Sequence, residues 1–249
     1  RIDNLDPLHG KTIHLPTTIE QVAVAIPQDH TQQSSYCQKW LQLEKIARTN
    51  IDCALKSLDQ LYEGKVAWLL SQTLPSGTPI FFANSMSVRY AEYFWQPNQS
   101  RIAPYFSRGA NGIDGTLSTA LGIAYQDRAV LLTGDLALLH DTNGFLLTQQ
   151  FQGHLTIIVI NNNGGGIFEL LPIANFPSFE TYFAMPQTVK LSQLCAAYSI
   201  EHLQIDSWQQ LTNLTKHLPS RGIRVLEVIC DRHADALWLK ENLPSFGNS

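Results

Sequence analysis

Residues 155–171 read Leu-Thr-Ile-Ile-Val-Ile-Asn-Asn-Asn-Gly-Gly-Gly-Ile-Phe-Glu-Leu-Leu. Four β-branched aliphatics among the first six residues predict a strand buried on both faces, as in a parallel sheet covered by helices. The run then breaks into three asparagines and three glycines. A buried strand that ends in a polar, Gly-rich corner delivers side chains and backbone to a ligand at the strand's carboxyl end. One helix and one strand upstream lies a second corner. Residues 129–133 form a short apolar run, closed by Gly134-Asp135. The spacing predicts that both corners lie on the same edge of one parallel sheet.

The remaining pattern agrees with that frame. Strands are expected at 79–83, 102–106, 129–134, 155–161, 201–204 and 224–230. Helices are expected from Ser35 to a stop near Gly64, and at 66–73, 87–93, 112–125, 141–151, 191–198, 208–217 and 234–242, with Asp206 or Ser207 capping the 208–217 helix. Strands alternating with helices imply right-handed βαβ units, hence a doubly wound α/β fold: a parallel sheet with helices on both faces. Residues 164–185 are long, aromatic and irregular. Residues 1–33 are broken by prolines, with short apolar pieces at 12–15 and 22–26 and a polar, linker-like run at 31–35. This predicts an arm or the tail of a preceding domain over 1–34 and one large domain over 35–249.

Composition narrows the function classes. A formal charge of −4 with no long run of one sign argues against a nucleic-acid or anionic-membrane partner. No apolar run reaches the ~18 residues of a membrane span. Cys37, Cys53, Cys195 and Cys230 are widely separated, which reads as buried, reduced thiols in a cytoplasmic protein rather than a zinc site. Neither G-x-x-x-x-G-K-[ST] nor G-x-G-x-x-G occurs, which disfavours a P-loop or nicotinamide site.

A carboxylate (Asp135), an Asn amide oxygen (Asn162) and a backbone carbonyl form a hard, all-oxygen set suited to Mg²⁺ bridging a diphosphate. Taken singly, each corner is also an ordinary turn former and helix cap. His140-Asp141 reads as a polar cluster at a helix start rather than an acid–base pair.

Gly134-Asp135 followed by Asn161-Asn162 is similar to the diphosphate motif of thiamine-diphosphate enzymes. Ala83-Asn84-Ser85-Met86-Ser87-Val88-Arg89, residues 107–115 (Ser-Arg-Gly-Ala-Asn-Gly-Ile-Asp-Gly), residues 134–141 and residues 161–171 occur in the same chain. Together they resemble the 2-succinyl-5-enolpyruvyl-6-hydroxy-3-cyclohexene-1-carboxylate (SEPHCHC) synthase family of menaquinone and phylloquinone biosynthesis. The resemblance covers roughly residues 35–249, that family's carboxyl-terminal, diphosphate-binding domain.

That resemblance implies thiamine diphosphate and Mg²⁺ (or Mn²⁺) as the cofactors. It also implies that Asp135, Asn162 and the Gly164 carbonyl are the metal ligands. By the same resemblance, Ile113, Gly134, Leu136, Ala137 and Ile167 join them in binding the cofactor, Ile113 as the aliphatic prop beneath it. Ser85, Arg89, Arg108, Phe168 and Leu171 are implied to contact substrate. Arginines suit anionic substrates because the guanidinium binds carboxylate in a bidentate fork. The implied reaction decarboxylates 2-oxoglutarate and adds the succinyl unit to isochorismate. Many thiamine-diphosphate enzymes carry Gly-Asp-Gly where this chain has Gly134-Asp135-Leu136, a departure that fits SEPHCHC synthases. The family's catalytic Glu lies in an amino-terminal pyrimidine-binding domain, and its active site forms between subunits of a homodimer or homotetramer. No catalytic residue is therefore assigned within these 249 residues, and the chain alone is expected to be inactive. The rival expectations are another thiamine-diphosphate-dependent 2-oxo acid decarboxylase or carboligase, or a non-catalytic domain that binds a phosphate ligand or serves in assembly.

Overall fold

The structure, a computed structural model, describes residues 10, 13, 15–26 and 33–248. The chain divides into two compact units, residues 1–45 and 46–249. The elements, in order, are α1 (Ile19–Ala25), α2 (Ser35–Ser57), α3 (Glu63–Thr73), β1 (Pro79–Phe82), α4 (Met86–Phe94), β2 (Ala103–Phe106), α5 (Thr116–Ile123), β3 (Arg128–Gly134), α6 (Asp135–His140), β4 (His154–Asn161), α7 (Leu191–Ala197), β5 (Glu201–Ile205), α8 (Trp208–Lys216), β6 (Gly222–Ile229) and α9 (Arg232–Asn242). Short 3₁₀ turns and one π turn fill Thr142–Leu147 and much of 166–184.

Among the described residues six strands pair in parallel, in the order β2-β1-β3-β4-β6-β5. The period-2 alternation of each strand sends side chains to two separate cores. Ile80, Phe82, Val130, Leu132, Ile158, Ile160, Leu226 and Val228 face α2, α3, α4, α8 and α9. Phe81, Leu131, Leu155, Ile157, Val159 and Val225 face α5, α6 and α7. This two-sided burial is what the unbroken apolar run of β4 requires. Leu155, Ile157, Ile158 and Val159 are fully buried. Each contributes roughly 1.5–3 kcal/mol through area removed from water.

The chain winds to one side from β1 to β2 and to the other from β3 onward. The reversal opens a crevice at the carboxyl ends of β1 and β3, the usual ligand position in such sheets. Register fixes its floor. Gly134 lies beside Ile160, and Asn161 beside Ile229. The two corners therefore emerge side by side on one sheet edge.

Several boundaries differ from expectation. Gly64 does not stop a helix; α2 ends at Ser57 and α3 starts at Glu63. Gly64 lies within α3, where a Cβ would come within 2.8 Å of the Tyr62 and Phe94 rings. A helix begins at once at Asp135, while the expected 141–151 helix is a 3₁₀ turn over Thr142–Leu147. Gly144 is wedged there against Leu117 and Ser118. The 112–125 helix is confined to α5, since Gly115 takes a left-handed conformation just before it. Residues 19–25, expected to be irregular, form α1, begun by a Thr18/Gln21 capping box. The apolar piece 12–15 and the linker 31–35 lie partly outside the described residues. The four cysteines are free; Cys195 is buried but Cys53 is exposed, so buried thiols hold only in part. Among the described residues no helix is long and apolar enough to cross a membrane.

Candidate cofactor and metal site

A cavity of about 370 Å³ opens in the crevice. Its walls come from the segments following β1, β2, β3 and β4, which sequence separates widely. Ser85 and Arg89 line it from α4 and the turn before it. Arg108 and Ile113 line it from the loop after β2. Residues 134–137 and Asn162, Gly164, Ile167 and Phe168 line it from the segments after β3 and β4, and Glu63 and Tyr90 reach it from α3 and α4. Leu171 is not brought to the cavity; it stands 48% exposed at the far end of a 3₁₀ turn.

Asp135 knits the two corners. Its Oδ1 accepts the Leu136 N–H at 2.7 Å and its Oδ2 accepts the Gly164 N–H at 2.8 Å. Burial pushes its carboxyl up to about 6, and those backbone N–H groups work against the rise. Gly164 adopts φ +128, and a Cβ there would lie 2.1 Å from the Ala184 carbonyl oxygen. Only glycine allows that approach.

Asn162 is buried, and its Nδ2 donates to Glu63 Oε2 at 2.9 Å. The second oxygen of Glu63 accepts the Tyr90 O–H at 2.7 Å. Sequence reasoning missed Glu63, because an acid in the first turn of a helix is normally a solvated complement to the helix dipole. Here it is 5% exposed, and burial raises its carboxyl to about 7. Arg89 donates to the Ser85 carbonyl at 2.7 Å, and Arg108 to Asn84 Oδ1 at 3.0 Å. Ser85 holds φ +70 without being glycine, a strained conformation of the kind that collects at functional sites. Asp141 accepts the Ser118 N–H at 2.8 Å, and His140 is exposed in the last turn of α6. The pair sits at a junction: His140 ends α6, and Asp141 is the N-cap position of the 3₁₀ helix over Thr142–Leu147.

The residues present fit a Mg²⁺-bridged diphosphate on two observations. Asp135 is a buried carboxylate, yet among the described residues no cationic side chain bonds it. A buried charge needs such compensation, and the oxygens around it suit a hard divalent cation. Gly134 has an ordinary backbone, and a Cβ added there would meet no protein atom. The space left open there borders the crevice. Residues 84–228 match the family model described as thiamine pyrophosphate enzyme, C-terminal TPP binding domain.

The chain belongs to this family.

Thiamine pyrophosphate is the same compound as thiamine diphosphate. Two curated relatives of this family member, both named 2-succinyl-5-enolpyruvyl-6-hydroxy-3-cyclohexene-1-carboxylate synthase, match nearly all of it. The protein from Gloeothece citriformis is 62% identical over 98% of this chain and 42% of its own length. That from Trichodesmium erythraeum is 55% identical over 98% of this chain and 43% of its own length. The chain thus spans less than half the length of these relatives. Benzoylformate decarboxylase from Polynucleobacter necessarius shares the fold, with a TM-score of 0.54 at 18% identity over 68% of this chain and 33% of that chain.

Behind Glu63 sits a further acid, Asp235 of α9. Its Oδ2 accepts the Glu63 N–H at 3.0 Å. Burial, and then the carboxylates of Glu63 and Asp231, push Asp235 up to about 8; its bond with the Cys230 thiol opposes the rise. Burial likewise raises Cys230. The folded state therefore holds a proton on Asp235 that the unfolded chain releases near 3.8. The linked stability is fully present below that pH and is lost as pH rises toward 8. In chelator, Asp235→Asn is expected to flatten the fall of melting temperature between pH 5 and pH 8. Identical slopes for the two proteins by scanning calorimetry would contradict this.

Proposed function

We propose that this chain is the cofactor domain of a SEPHCHC synthase, which decarboxylates 2-oxoglutarate and adds the succinyl unit to isochorismate in the menaquinone and phylloquinone route. The observation that carries the reading is one crevice combining an oxygen-donor corner, Asp135 and Asn162, with the guanidinium groups of Arg89 and Arg108. The naming of close relatives as that synthase supports it.

When bound, thiamine diphosphate would act as the electron sink for loss of carboxylate. The chain's own contribution is binding and orientation. Asp135 and Asn162 would hold Mg²⁺ by side-chain oxygens, with the Gly164 carbonyl as backbone ligand. Gly134, Leu136 and Ala137 would line the diphosphate, where the first N–H groups of α6 lie. Ile113 would prop the cofactor. Ile167 and Phe168 supply an apolar wall that excludes water. Ser85, Arg89 and Arg108 would take the substrate carboxylates, Arg108 steadied by Asn84, whose Nδ2 is itself held by the Gly112 carbonyl at 2.6 Å. Residues 35–249 form the diphosphate-binding domain in this reading. The pyrimidine-binding half and its Glu would come from the part of the relatives' length that this chain does not match, in a homodimer or homotetramer.

The test is substrate preference of the full-length protein, followed as carbon dioxide release and product formation with isochorismate. Turnover of 2-oxoglutarate over pyruvate is expected; preference for pyruvate would favour a different carboligase. In the same assay Arg108→Ala should raise the substrate KM about 10- to 100-fold, the worth of a charge-assisted hydrogen bond, with cofactor affinity changed less than about twofold. Equal loss of cofactor and substrate affinity would place Arg108 elsewhere in the site.

A further inference from the structure

Asn162 raises a chemical question. An aspartate would be a stronger Mg²⁺ ligand than an amide, yet the corner carries a carboxylate at 135 and an amide at 162. The surroundings of Asn162 answer it. Its Nδ2 lies 2.9 Å from Glu63 Oε2, and Glu63 is held at two further points, one on its carboxylate and one on its backbone. Tyr90 donates to its other oxygen, and its backbone N–H is held by Asp235. The backbone of Gly166 closes against the same amide nitrogen; a Cβ there would lie 2.5 Å from it. All of these groups are buried. The geometry gives Glu63 Oε2 an N–H donor, the Asn162 amide; an ionised aspartate at 162 carries only acceptors and would not supply one.

We infer that Glu63 is a positioning residue for the metal site: it engages the amide nitrogen of Asn162 and so leaves the amide oxygen as the atom offered to a divalent cation. The inference rests on the proposed Mg²⁺ role of Asp135 and Asn162. Without Glu63 the amide is able to turn over and present N–H groups to the cation. Partners one step removed from a metal set ligand orientation in this way and are worth about 10- to 100-fold in metal affinity.

The experiment measures the Mg²⁺ concentration that half-saturates thiamine diphosphate binding to the full-length protein, by calorimetry and without turnover. Glu63→Ala should raise it about 10- to 100-fold, while Glu63→Gln, whose amide oxygen still accepts from Asn162, should stay within about threefold. The exchange of roles is the sharper arm. Asn162→Asp alone places two carboxylates face to face and should bind Mg²⁺ poorly. Asn162→Asp combined with Glu63→Gln restores a donor between them and should recover most of the affinity. A purely structural Glu63 would give no such recovery, and this arm stands even if Glu63→Ala does not fold. A folded Glu63→Ala with the unaltered Mg²⁺ requirement, or a double variant no better than Asn162→Asp, overturns the assignment. Asp135→Ala serves as the reference. If it loses Mg²⁺ dependence while Glu63→Ala keeps it, only the Glu63 role fails; if Asp135→Ala also keeps it, the metal corner itself is misassigned and both fall.

Discussion

Asp135→Ala is expected to abolish Mg²⁺-dependent binding of thiamine diphosphate by the full-length protein, with a loss greater than about 100-fold, the upper range for removing only a supporting residue. The reason is positional as well as electrostatic. Asp135 follows β3 directly and reaches across to the Gly164 N–H, so it joins the β3 corner to the β4 corner. Removing it deletes a charge and the strut that sets the Gly164 loop. Its fold need not suffer equally. A buried carboxyl raised to about 6 is a burden on the metal-free protein near neutral pH, so deleting it removes that burden while losing two hydrogen bonds. Calorimetric titration at saturating Mg²⁺, alongside a melt of the same sample, separates the two effects. Unchanged cofactor affinity would count against the corner.

The second large effect is expected at Arg232. Its guanidinium reaches three segments. Nε meets Glu169 at 2.9 Å, Nη1 donates to the Asn163 carbonyl at 2.9 Å, and Nη2 contacts both oxygens of Glu180 at 2.5 and 2.6 Å. The Glu180 arm is half exposed and contributes little. The Glu169 arm differs, because both side chains are buried. Among the described residues, Arg232→Met leaves the Glu169 carboxylate facing His233 Nδ1 alone, 3.0 Å away on the exposed side. Stranding one member of a buried pair costs about 3 kcal/mol or more. For a domain of this size that is a fall of roughly 6–12 °C in melting temperature. Replacing Glu169 by Leu as well should recover much of it, since an apolar pair of similar volume carries no unpaired charge. A melting temperature unmoved by Arg232→Met, or no recovery in the double variant, would contradict this. Glu169, Glu180 and His233 also place ligand atoms within 4.8 Å of one another, but Arg232 already takes up both carboxylates, so the grouping is an ion-pair clamp on the segment over the crevice.

How far the sequence foretells this architecture depends on the range of the interaction concerned. The β4 run was legible because burial on both faces leaves a local imprint: four β-branched aliphatics with no polar alternation. The corners were legible for a similar reason, since Gly, Asn and Asp at the end of such a strand are visible without knowing any partner. The parallel order followed from alternation of strands and helices. Three features were not legible. Glu63 and Asp235 look like surface acids of helix first turns until tertiary packing buries them against each other. Arg232 looks like any Arg next to His and Asp; its worth lies in reaching residues 163, 169 and 180, contacts set by how 163–184 folds. Gly64 resembled a helix stop, but it is small because the rings of Tyr62 and Phe94 crowd it. The α1 capping box, by contrast, stands in the sequence as Thr18-x-x-Gln21 and had a readable signal. Leu171 belongs to the resembled motif, yet it stands exposed and is not among the residues that line the crevice.

The central claim is that the corners after β3 and β4 hold one divalent cation on a diphosphate. The most direct test is anomalous diffraction from crystals of the full-length protein grown with thiamine diphosphate and Mn²⁺ in place of Mg²⁺. The expected result is one strong peak at about 2.0–2.3 Å from an Asp135 carboxylate oxygen, Asn162 Oδ1 and the Gly164 carbonyl, with diphosphate oxygens completing the shell. A cofactor bound with its metal peak away from these three oxygens, or with Asn162 Nδ2 turned toward the metal, would contradict it.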